Sequence, residues 1–365
     1  MQPLKRLFPL FLILLILISC NNKNIKLFNA QSSEFKYTGR TEIQSDSTIN
    51  LITSASGLEI LFTGDTCSLL FKNATTNTPY NFISIELDGE YKGRIKVEND
   101  SLKAYPIAVN KEVKLHRLLI VKSTEAQNGA ITFGGIYCES ITPVKTNTVA
   151  KIEFIGNSIT CAMGADTTEI PCGTNQWFDQ HNAYFAYGRL VANSLNADFM
   201  LSSVSGIGIY RTWNQESPEM PNVYQNTYLN SDSTKKWDFS TFVPDVVSIA
   251  LGTNDLSDGD GVELRKAFNI DTFSIGYIEF VKTIYSKFPN TKIALLTSPM
   301  VTGAKDSVLN LCLLRVKSHF KDKKIEIFRF SGINPHGCSF HPNIEEHKRM
   351  ADTLTPFFRM MLEIK

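Results

Sequence analysis

The chain lacks several features that would indicate a nucleic-acid or disordered protein. Its 37 basic and 36 acidic residues nearly cancel, so no broad positive field favours nucleic acid, and no run of basic residues follows a groove. The sequence shows no repeat and no low-complexity segment. Its 365 residues, 43% of them hydrophobic, are enough for two domains with buried cores. We therefore expect a globular protein with no nucleic-acid partner.

Long apolar runs are also absent, apart from one at the N-terminus. Residues 7–18 form this run directly after Lys5 and Arg6; it is too short for a comfortable membrane span and is typical of a secretion signal. The run ends in Leu-Ile-Ser-Cys at 17–20, which resembles the bacterial lipobox, whose cysteine is acylated. We predict an exported bacterial lipoprotein, held to a membrane by a lipid on Cys20 and located at the outer membrane, the cell surface or the periplasm. The alternative is an ordinary signal peptide with an incidental cysteine.

Cysteine is too sparse for a dense disulfide framework. Six cysteines follow Cys20, and only Cys161 and Cys172 are close enough in sequence to suggest a loop staple. We weigh this bridge equally against two free thiols. The other cysteines are expected to be small core residues.

The first half of the chain contains short β-type runs and turn signals. Asp-Gly at 88–89 and Asn-Gly at 128–129 are typical of hairpins, and helical periodicity is missing. This half predicts an antiparallel β-sandwich.

After a polar, proline-containing stretch at 143–149, strand-like apolar runs alternate with amphipathic helices. This order predicts a parallel sheet covered on both faces, and hence a three-layer α/β/α domain. The predicted divisions of the chain are a lipoprotein signal peptide at 1–20, a tether at 21–34, the sandwich at 35–143 and the α/β domain at 150–365.

Four short motifs follow predicted strands of the second half. They are Gly-Asn-Ser at 156–158, Ser-Gly at 205–206, Gly-Thr-Asn-Asp at 252–255 and His-Pro at 341–342. Sites in open α/β sheets form where the carboxyl ends of the strands converge. We therefore expect these motifs to meet at one edge of the sheet.

The motifs supply the groups needed for acyl transfer. The Ser158 hydroxyl needs a base within hydrogen-bond reach to become a nucleophile, and His341 is the candidate. Pro342 suits the first position of a helix, so we expect His341 at the helix N-cap, where the positive helix end favours a neutral imidazole. The alternative for His341 is a cap residue without a catalytic role.

Stabilisation of an oxyanion needs preorganised donors. The backbone N–H groups of Ser158 and Gly206 and the side-chain amide of Asn254 can supply them. Taken singly, Gly206 and Asn254 could each equally be a turn residue without a catalytic role.

The order of these motifs resembles the four sequence blocks of the SGNH (GDSL-type) hydrolase superfamily. Segments 154–161, 237–239 and 252–255 are similar to carbohydrate esterase family 2, as are 37–40 and 122–126 in the first half. The resemblance implies an all-β jelly-roll sandwich followed by an SGNH-type α/β domain, and deacetylation of plant cell-wall polysaccharides of the acetylxylan type. It implies that Ser158 is the nucleophile, His341 the base, and Gly206 with Asn254 oxyanion donors.

Two positions depart from the pattern. Asn157 replaces the Asp of many SGNH proteins, and Cys338 stands where an Asp commonly precedes the histidine by three residues, followed by Ser339. We predict a Ser-His dyad and leave the acceptor for the second imidazole nitrogen open among a backbone carbonyl, a water and a carboxylate from elsewhere.

Other side chains near the motifs are candidates for binding a metal ion or a sugar. His336, Cys338, His341 and His347 match no familiar zinc spacing, so we expect neither a metal nor a cofactor. Trp213 and Tyr210 are predicted to bind substrate.

The predicted function is removal of O-acetyl groups from plant-type polysaccharides or oligosaccharides through an acyl-serine intermediate. The alternatives are a GDSL-type lipase or thioesterase, and a catalytically decayed polysaccharide-binding lipoprotein.

Overall fold

A computed structural model of the chain describes residues 24–74, 78–145, 147–262 and 264–364. The predicted signal peptide and the predicted lipidation site Cys20 lie outside these ranges. Of the helices within the described ranges, none has both the length and the apolar character of a membrane span.

The first half of the described chain consists of short strands. They are β1 (Lys26–Asn29), β2 (Lys36–Thr38), β3 (Thr41–Ile43), β4 (Ile49–Leu51), β5 (Gly57–Thr63), β6 (Cys67–Asn73), β7 (Asn81–Leu87), β8 (Glu90–Val97), β9 (Lys103–Ile107), β10 (His116–Lys122), β11 (Ile131–Cys138) and β12 (Ser140–Thr142). One sheet has the order β3-β4-β11-β6-β9, with β1 also paired to β11. The other has the order β12-β5-β10-β7-β8, with β2 paired to β5.

Period-two alternation sets the face of each strand that packs into the sandwich core. In β6, Cys67, Leu69 and Phe71 are buried, whereas the residues between them are half-buried. These side chains pack with residues such as Ile60 and Phe133 from neighbouring strands. The predicted antiparallel β-sandwich is confirmed.

Strand β1 lies inside the stretch at 21–34 that was predicted to be a tether. It pairs antiparallel with β11 over its whole length, so the tether prediction is wrong from Lys26 onward. In this strand Phe28 is half-buried and the other three residues are exposed. A strand added to a sheet by backbone pairing leaves little apolar alternation in the sequence.

The second half alternates strands and helices. Its elements are β13 (Lys151–Gly156), α1 (Ser158–Cys161), α2 (Tyr187–Ser194), β14 (Asp198–Ser203), α3 (Met220–Val223), β15 (Val246–Ala250), α4 (Ile270–Lys287), β16 (Lys292–Leu296), α5 (Gly303–His319), β17 (Ile325–Phe328) and α6 (Ile344–Leu362).

The five strands β13 to β17 form a parallel sheet in the order β14-β13-β15-β16-β17. Helices α4 and α5 pack on one face, for example through Phe280 and Leu313. Helices α2 and α6 pack on the other face, through Val191 and Leu354. The three-layer α/β/α prediction is confirmed. The strand order reverses beside β13, and the crevice at such a point is where doubly wound sheets bind ligands.

The sandwich packs directly on the α/β domain through the outer face of β7 and β10. Every residue of β7 is buried, because one side faces the sandwich core and the other faces the second domain. Ser84 on this strand donates to Asn182 Oδ1 at 2.9 Å, and Tyr184 donates to Glu86 Oε2 at 2.7 Å. The interface is therefore polar as well as apolar.

Candidate active site

Ser158 lies at the turn between strand β13 and the single-turn helix α1. Asn157 caps this helix, and its Oδ1 accepts a hydrogen bond from the Ile159 N–H at 3.1 Å. A Cβ at Gly156 would lie 2.0 Å from Thr160 Oγ1, so the tight turn requires glycine. The turn holds the Ser158 hydroxyl at the carboxyl edge of the sheet, with the residue 5% exposed.

His341 contacts the Ser158 hydroxyl directly. Its Nε2 lies 2.7 Å from Ser158 Oγ, and its Nδ1 lies 2.9 Å from the backbone carbonyl oxygen of Ser339. A carbonyl can only accept, so Nδ1 carries the proton and Nε2 is left to accept from the serine. Of the three acceptors left open by the sequence, the structure places the backbone carbonyl at this nitrogen.

Burial lowers the pKa of His341, while hydrogen bonds with the backbone of Ser339 and Cys338 oppose the shift. The imidazole is therefore neutral at neutral pH and can serve as a base. The predicted N-cap position is wrong: helix α6 starts at Ile344 and is capped by Asn343. The neutral state thus results from burial, and the helix end is two residues further along the chain.

The turn before His341 is held by a disulfide that the sequence did not indicate. Cys338 is bonded to Cys172, so the Cys161–Cys172 bridge, which the sequence left open against two free thiols, is not formed. Cys161 is a free, buried thiol at the end of α1, where it faces the protein interior. Residues Ser339 and Phe340, which follow Cys338, have φ angles of 54° and 60°, in the left-handed region that bulky residues rarely adopt.

Three hydrogen-bond donors belong to residues that line the same cleft: Ser158, Gly206 and Asn254. The backbone N–H groups of Ser158 and Gly206 have no hydrogen-bond partner within the described residues. The Asn254 amide donates one N–H to the Ile207 carbonyl at 2.8 Å, which orients the group and leaves its second N–H unused. These are the three groups predicted from the sequence, and their arrangement fits an oxyanion hole.

The Gly206 backbone adopts a conformation that only glycine can hold here. Its φ is 77°, and a Cβ would lie 2.8 Å from Cδ1 of Trp213. The backbone N–H of Trp213 also donates to the Gly206 carbonyl at 2.9 Å. Trp213 therefore supports the loop that carries the Gly206 donor.

The dyad opens into a cleft of about 820 Å³. Ser158, His341, Gly206 and Asn254 lie on its wall, and three exposed aromatic side chains line it: Trp177 (44% exposed), Trp213 (41%) and Phe340 (84%). The cleft also receives Gln127 from the sandwich. Sequence reasoning missed Phe340 and Gln127, since neither belongs to a motif.

Tyr210 does not line this cleft, contrary to its predicted substrate-binding role. Its ring packs against Phe268 and Phe273, and its hydroxyl accepts from the Asn269 N–H at 3.2 Å. The backbone N–H of Tyr210 is bound by the buried carboxylate of Asp255 at 2.9 Å. Tyr210 therefore anchors the loop after the oxyanion donor.

The residues weighed as metal ligands have other partners. Cys338 is in the disulfide, and His336 Nδ1 lies 2.5 Å from Glu346 Oε1. His347 Nδ1 accepts from the Tyr187 N–H at 3.3 Å. In the part of the chain that the structure describes, no group of three or more His, Cys, Asp or Glu residues is placed to hold a metal ion.

Comparison with known proteins matches both halves of the chain. Residues 37–145 match the N-terminal domain of carbohydrate esterase 2, and residues 154–317 match the GDSL-like lipase/acylhydrolase family. An acetylxylan esterase/glucomannan deacetylase of Cellvibrio japonicus (strain Ueda107) is 24% identical over 373 residues, covering 99% of this chain and 100% of the relative.

Solved structures agree in fold over nearly the whole chain. A family two carbohydrate esterase from Cellvibrio japonicus superposes with a TM-score of 0.81 at 23% identity, covering 93% of this chain and 98% of the other. A family two carbohydrate esterase from Clostridium thermocellum, in complex with cellohexaose, gives a TM-score of 0.77 at 26% identity, covering 90% and 99%. The chain therefore carries an N-terminal domain of the carbohydrate esterase 2 type followed by a GDSL-like hydrolase domain, and it is similar over nearly its whole length to an acetylxylan esterase/glucomannan deacetylase.

Proposed function

We propose that this carbohydrate esterase removes O-acetyl groups from plant-type polysaccharides or oligosaccharides through an acetyl-Ser158 intermediate. The observation that carries the proposal is the 2.7 Å contact between Ser158 Oγ and His341 Nε2, in an open cleft beside the Gly206 and Asn254 donors.

In the first half-reaction, His341 Nε2 takes the hydroxyl proton as Ser158 Oγ attacks the acetyl carbonyl carbon. The π electrons of the carbonyl move to its oxygen, which becomes an oxyanion. This oxyanion accepts hydrogen bonds from the N–H groups of Ser158 and Gly206 and from the Asn254 amide. The intermediate then collapses, the bond to the sugar oxygen breaks, and the proton on Nε2 passes to that oxygen. The products are a sugar hydroxyl and an acetylated serine.

In the second half-reaction, water repeats these steps. His341 accepts a proton from water, the resulting hydroxide attacks the ester carbonyl, and the bond to Ser158 Oγ breaks as the proton returns to the serine. Acetate leaves. Throughout, the Ser339 carbonyl stabilises the imidazolium through Nδ1–H, which is the role that a carboxylate plays in a triad.

The cleft wall suits an uncharged glycan. Trp177, Trp213 and Phe340 offer exposed apolar faces on which a pyranose ring can stack. The acidic and basic side chains on the wall, Asp258 and Lys305, form an ion pair at 2.7 Å. The wall therefore presents little net charge to a ligand.

We further propose that the protein is exported and anchored by a lipid on Cys20. The motif at 17–20 motivates this, and the Cys172–Cys338 disulfide is consistent with an oxidising compartment. In cells that make the native chain, the protein should sediment with membranes, and Cys20→Ser should release it. Equal sedimentation of both forms would reject the anchor.

The test of the activity is hydrolysis of a chromogenic acetate ester and of acetylated xylan by the mature chain. Ser158→Ala and His341→Ala should each lower kcat by at least about a thousandfold. Ser257→Ala, which removes another cleft-lining hydroxyl, should leave kcat unchanged. Equal rates for the native protein and Ser158→Ala would reject the mechanism.

Two further outcomes separate the alternatives. Preference for long-chain over acetyl esters would indicate a lipase or thioesterase. Glycan binding without turnover would indicate a catalytically decayed binding protein.

A further inference from the structure

A carboxylate from the sandwich reaches the back of the oxyanion hole. Glu125 follows strand β10, at the start of a 3₁₀ turn, and is completely buried. Its Oε2 accepts a hydrogen bond from the Ser205 N–H at 2.8 Å and from the Cys161 thiol at 2.8 Å. Both partners belong to the α/β domain.

Each of these two hydrogen bonds involves a segment that carries one of the N–H groups proposed to stabilise the oxyanion. The peptide group that contains the Gly206 N–H begins at the Cα of Ser205, so fixing the Ser205 N–H restricts the orientation of the next peptide. Cys161 is the last residue of α1, the single turn of helix that Ser158 begins. One carboxylate oxygen thus ties together the two backbone donors.

A buried lysine of the sandwich supports this carboxylate. Lys122 is completely buried, and its Nζ donates to the backbone carbonyls of Thr124 at 3.0 Å and Glu125 at 2.8 Å. Burial raises the pKa of Glu125, and the hydrogen bonds from Cys161 and Ser205, followed by the charge of Lys122, oppose that rise. Burial also lowers the pKa of Lys122 to about 7. The sandwich thereby holds the segment that presents Glu125 and offers a counter-charge.

We propose that Glu125 is a positioning residue of the esterase reaction: the sandwich domain uses its carboxylate to hold the Gly206 and Ser158 N–H groups in the geometry of the oxyanion. This inference rests on the acyl-serine mechanism proposed above. It gives the sandwich a part in catalysis that does not depend on binding glycan.

Loss of the carboxylate should therefore affect the transition state more than substrate binding. Removing one oxyanion donor costs about 100-fold to 1,000-fold in kcat. Because Glu125→Ala displaces donors without deleting them, we expect a fall in kcat of about 10-fold to 100-fold with KM unchanged. Glu125→Gln should recover most of the rate, since its amide oxygen can still accept the Ser205 N–H.

A boronic acid that forms a tetrahedral adduct with Ser158 provides a readout that a purely structural role would not change. Its affinity should fall in step with kcat in Glu125→Ala, whereas KM for the chromogenic acetate ester should stay constant. The matched control is Glu153→Gln. Glu153 is also completely buried at the domain interface, but it accepts from the hydroxyls of Ser202 and Tyr224 and lies 3.8 Å from Arg40.

A double variant guards against misfolding of Glu125→Ala. In Lys122→Met combined with Glu125→Leu, both buried charges are replaced by apolar side chains of similar volume, a change that often preserves stability. The Ser205 N–H still loses its acceptor. We expect native-like unfolding with reduced kcat and weak boronate binding.

The outcomes are separable from those of the proposed function. If the native protein does not hydrolyse acetate esters, the proposed function fails. If the native protein is active, and the folded Glu125→Ala or double variant keeps the kcat and boronate affinity of the Glu153→Gln control, the positioning role is overturned while the esterase mechanism stands.

Discussion

Two buried carboxylates at the interface between the domains differ in what they hold. Glu153, on strand β13, lies 3.8 Å from Arg40 of the sandwich, and both side chains are fully buried. Arg40 also donates to the carbonyls of Tyr224 and Asn226 at 2.9 and 2.8 Å, and neither residue lines the active-site cleft. Glu125 instead binds the loop that presents the oxyanion donor.

The comparison shows that buried groups at the same interface can have two different roles. The Arg40–Glu153 pair ties the domains together, whereas Glu125 shapes the site. Equal burial therefore does not imply an equal role, and stability and kcat should separate when the two positions are changed.

Breaking the Arg40–Glu153 pair should give the largest effect. Arg40→Ala leaves the buried Glu153 carboxylate without its partner, a change that costs about 3–5 kcal/mol. We expect the free energy of unfolding in urea to fall by this amount, while kcat of the folded fraction is unchanged. A tenfold loss of kcat at native stability would contradict the division of work.

Removing the disulfide tests whether the turn that holds His341 depends on this restraint, as the oxyanion donors are proposed to depend on Glu125. Cys172 and Cys338 are 166 residues apart in sequence, and replacing both by serine should lower the free energy of unfolding by about 2–4 kcal/mol. Because the Ser339 carbonyl is then less constrained, kcat should fall by about tenfold, far less than the roughly 10,000-fold loss for a wrong histidine tautomer. Unchanged kcat would show that the turn keeps its shape unaided. Cys312→Ser, at a free buried thiol, is the control.

The smallest expected effect is a shift in the pH dependence of kcat/KM, and it is specific to His341. Since burial lowers the pKa of His341, the acid limb of kcat/KM should have its midpoint below the usual histidine value of about 6.5, and activity should rise with pH through it. The same shift means that the unfolded chain binds more protons, so this group's contribution to stability is lost as pH falls. The disulfide variant, with a looser and wetter turn, should move the midpoint upward. A limb above 6.5 in the native protein would contradict a buried neutral imidazole.

Much of this site could be predicted from the sequence because parallel strands converge. Ser158, Gly206, Asn254 and His341 each follow a strand, and the carboxyl ends of those strands share one edge of the sheet. Periodicity and motif order together therefore indicated both the fold class and the four groups.

The restraints around these groups could not be predicted. Cys172 lies in an irregular loop, and nothing periodic indicates that it reaches Cys338. Glu125 is one acidic residue in a turn, and its burial depends on packing against a separate domain. The helix after His341 starts later than Pro342 suggested, because Asn343 and Glu346 form a capping box.

Covalent trapping tests the central claim most directly. We would treat the mature chain with a fluorophosphonate and identify the modified peptide by mass spectrometry. The account predicts one adduct, on Ser158, formed much more slowly in His341→Ala. An active esterase that carries no adduct on Ser158, or that is inactivated by modification of another residue, would contradict it.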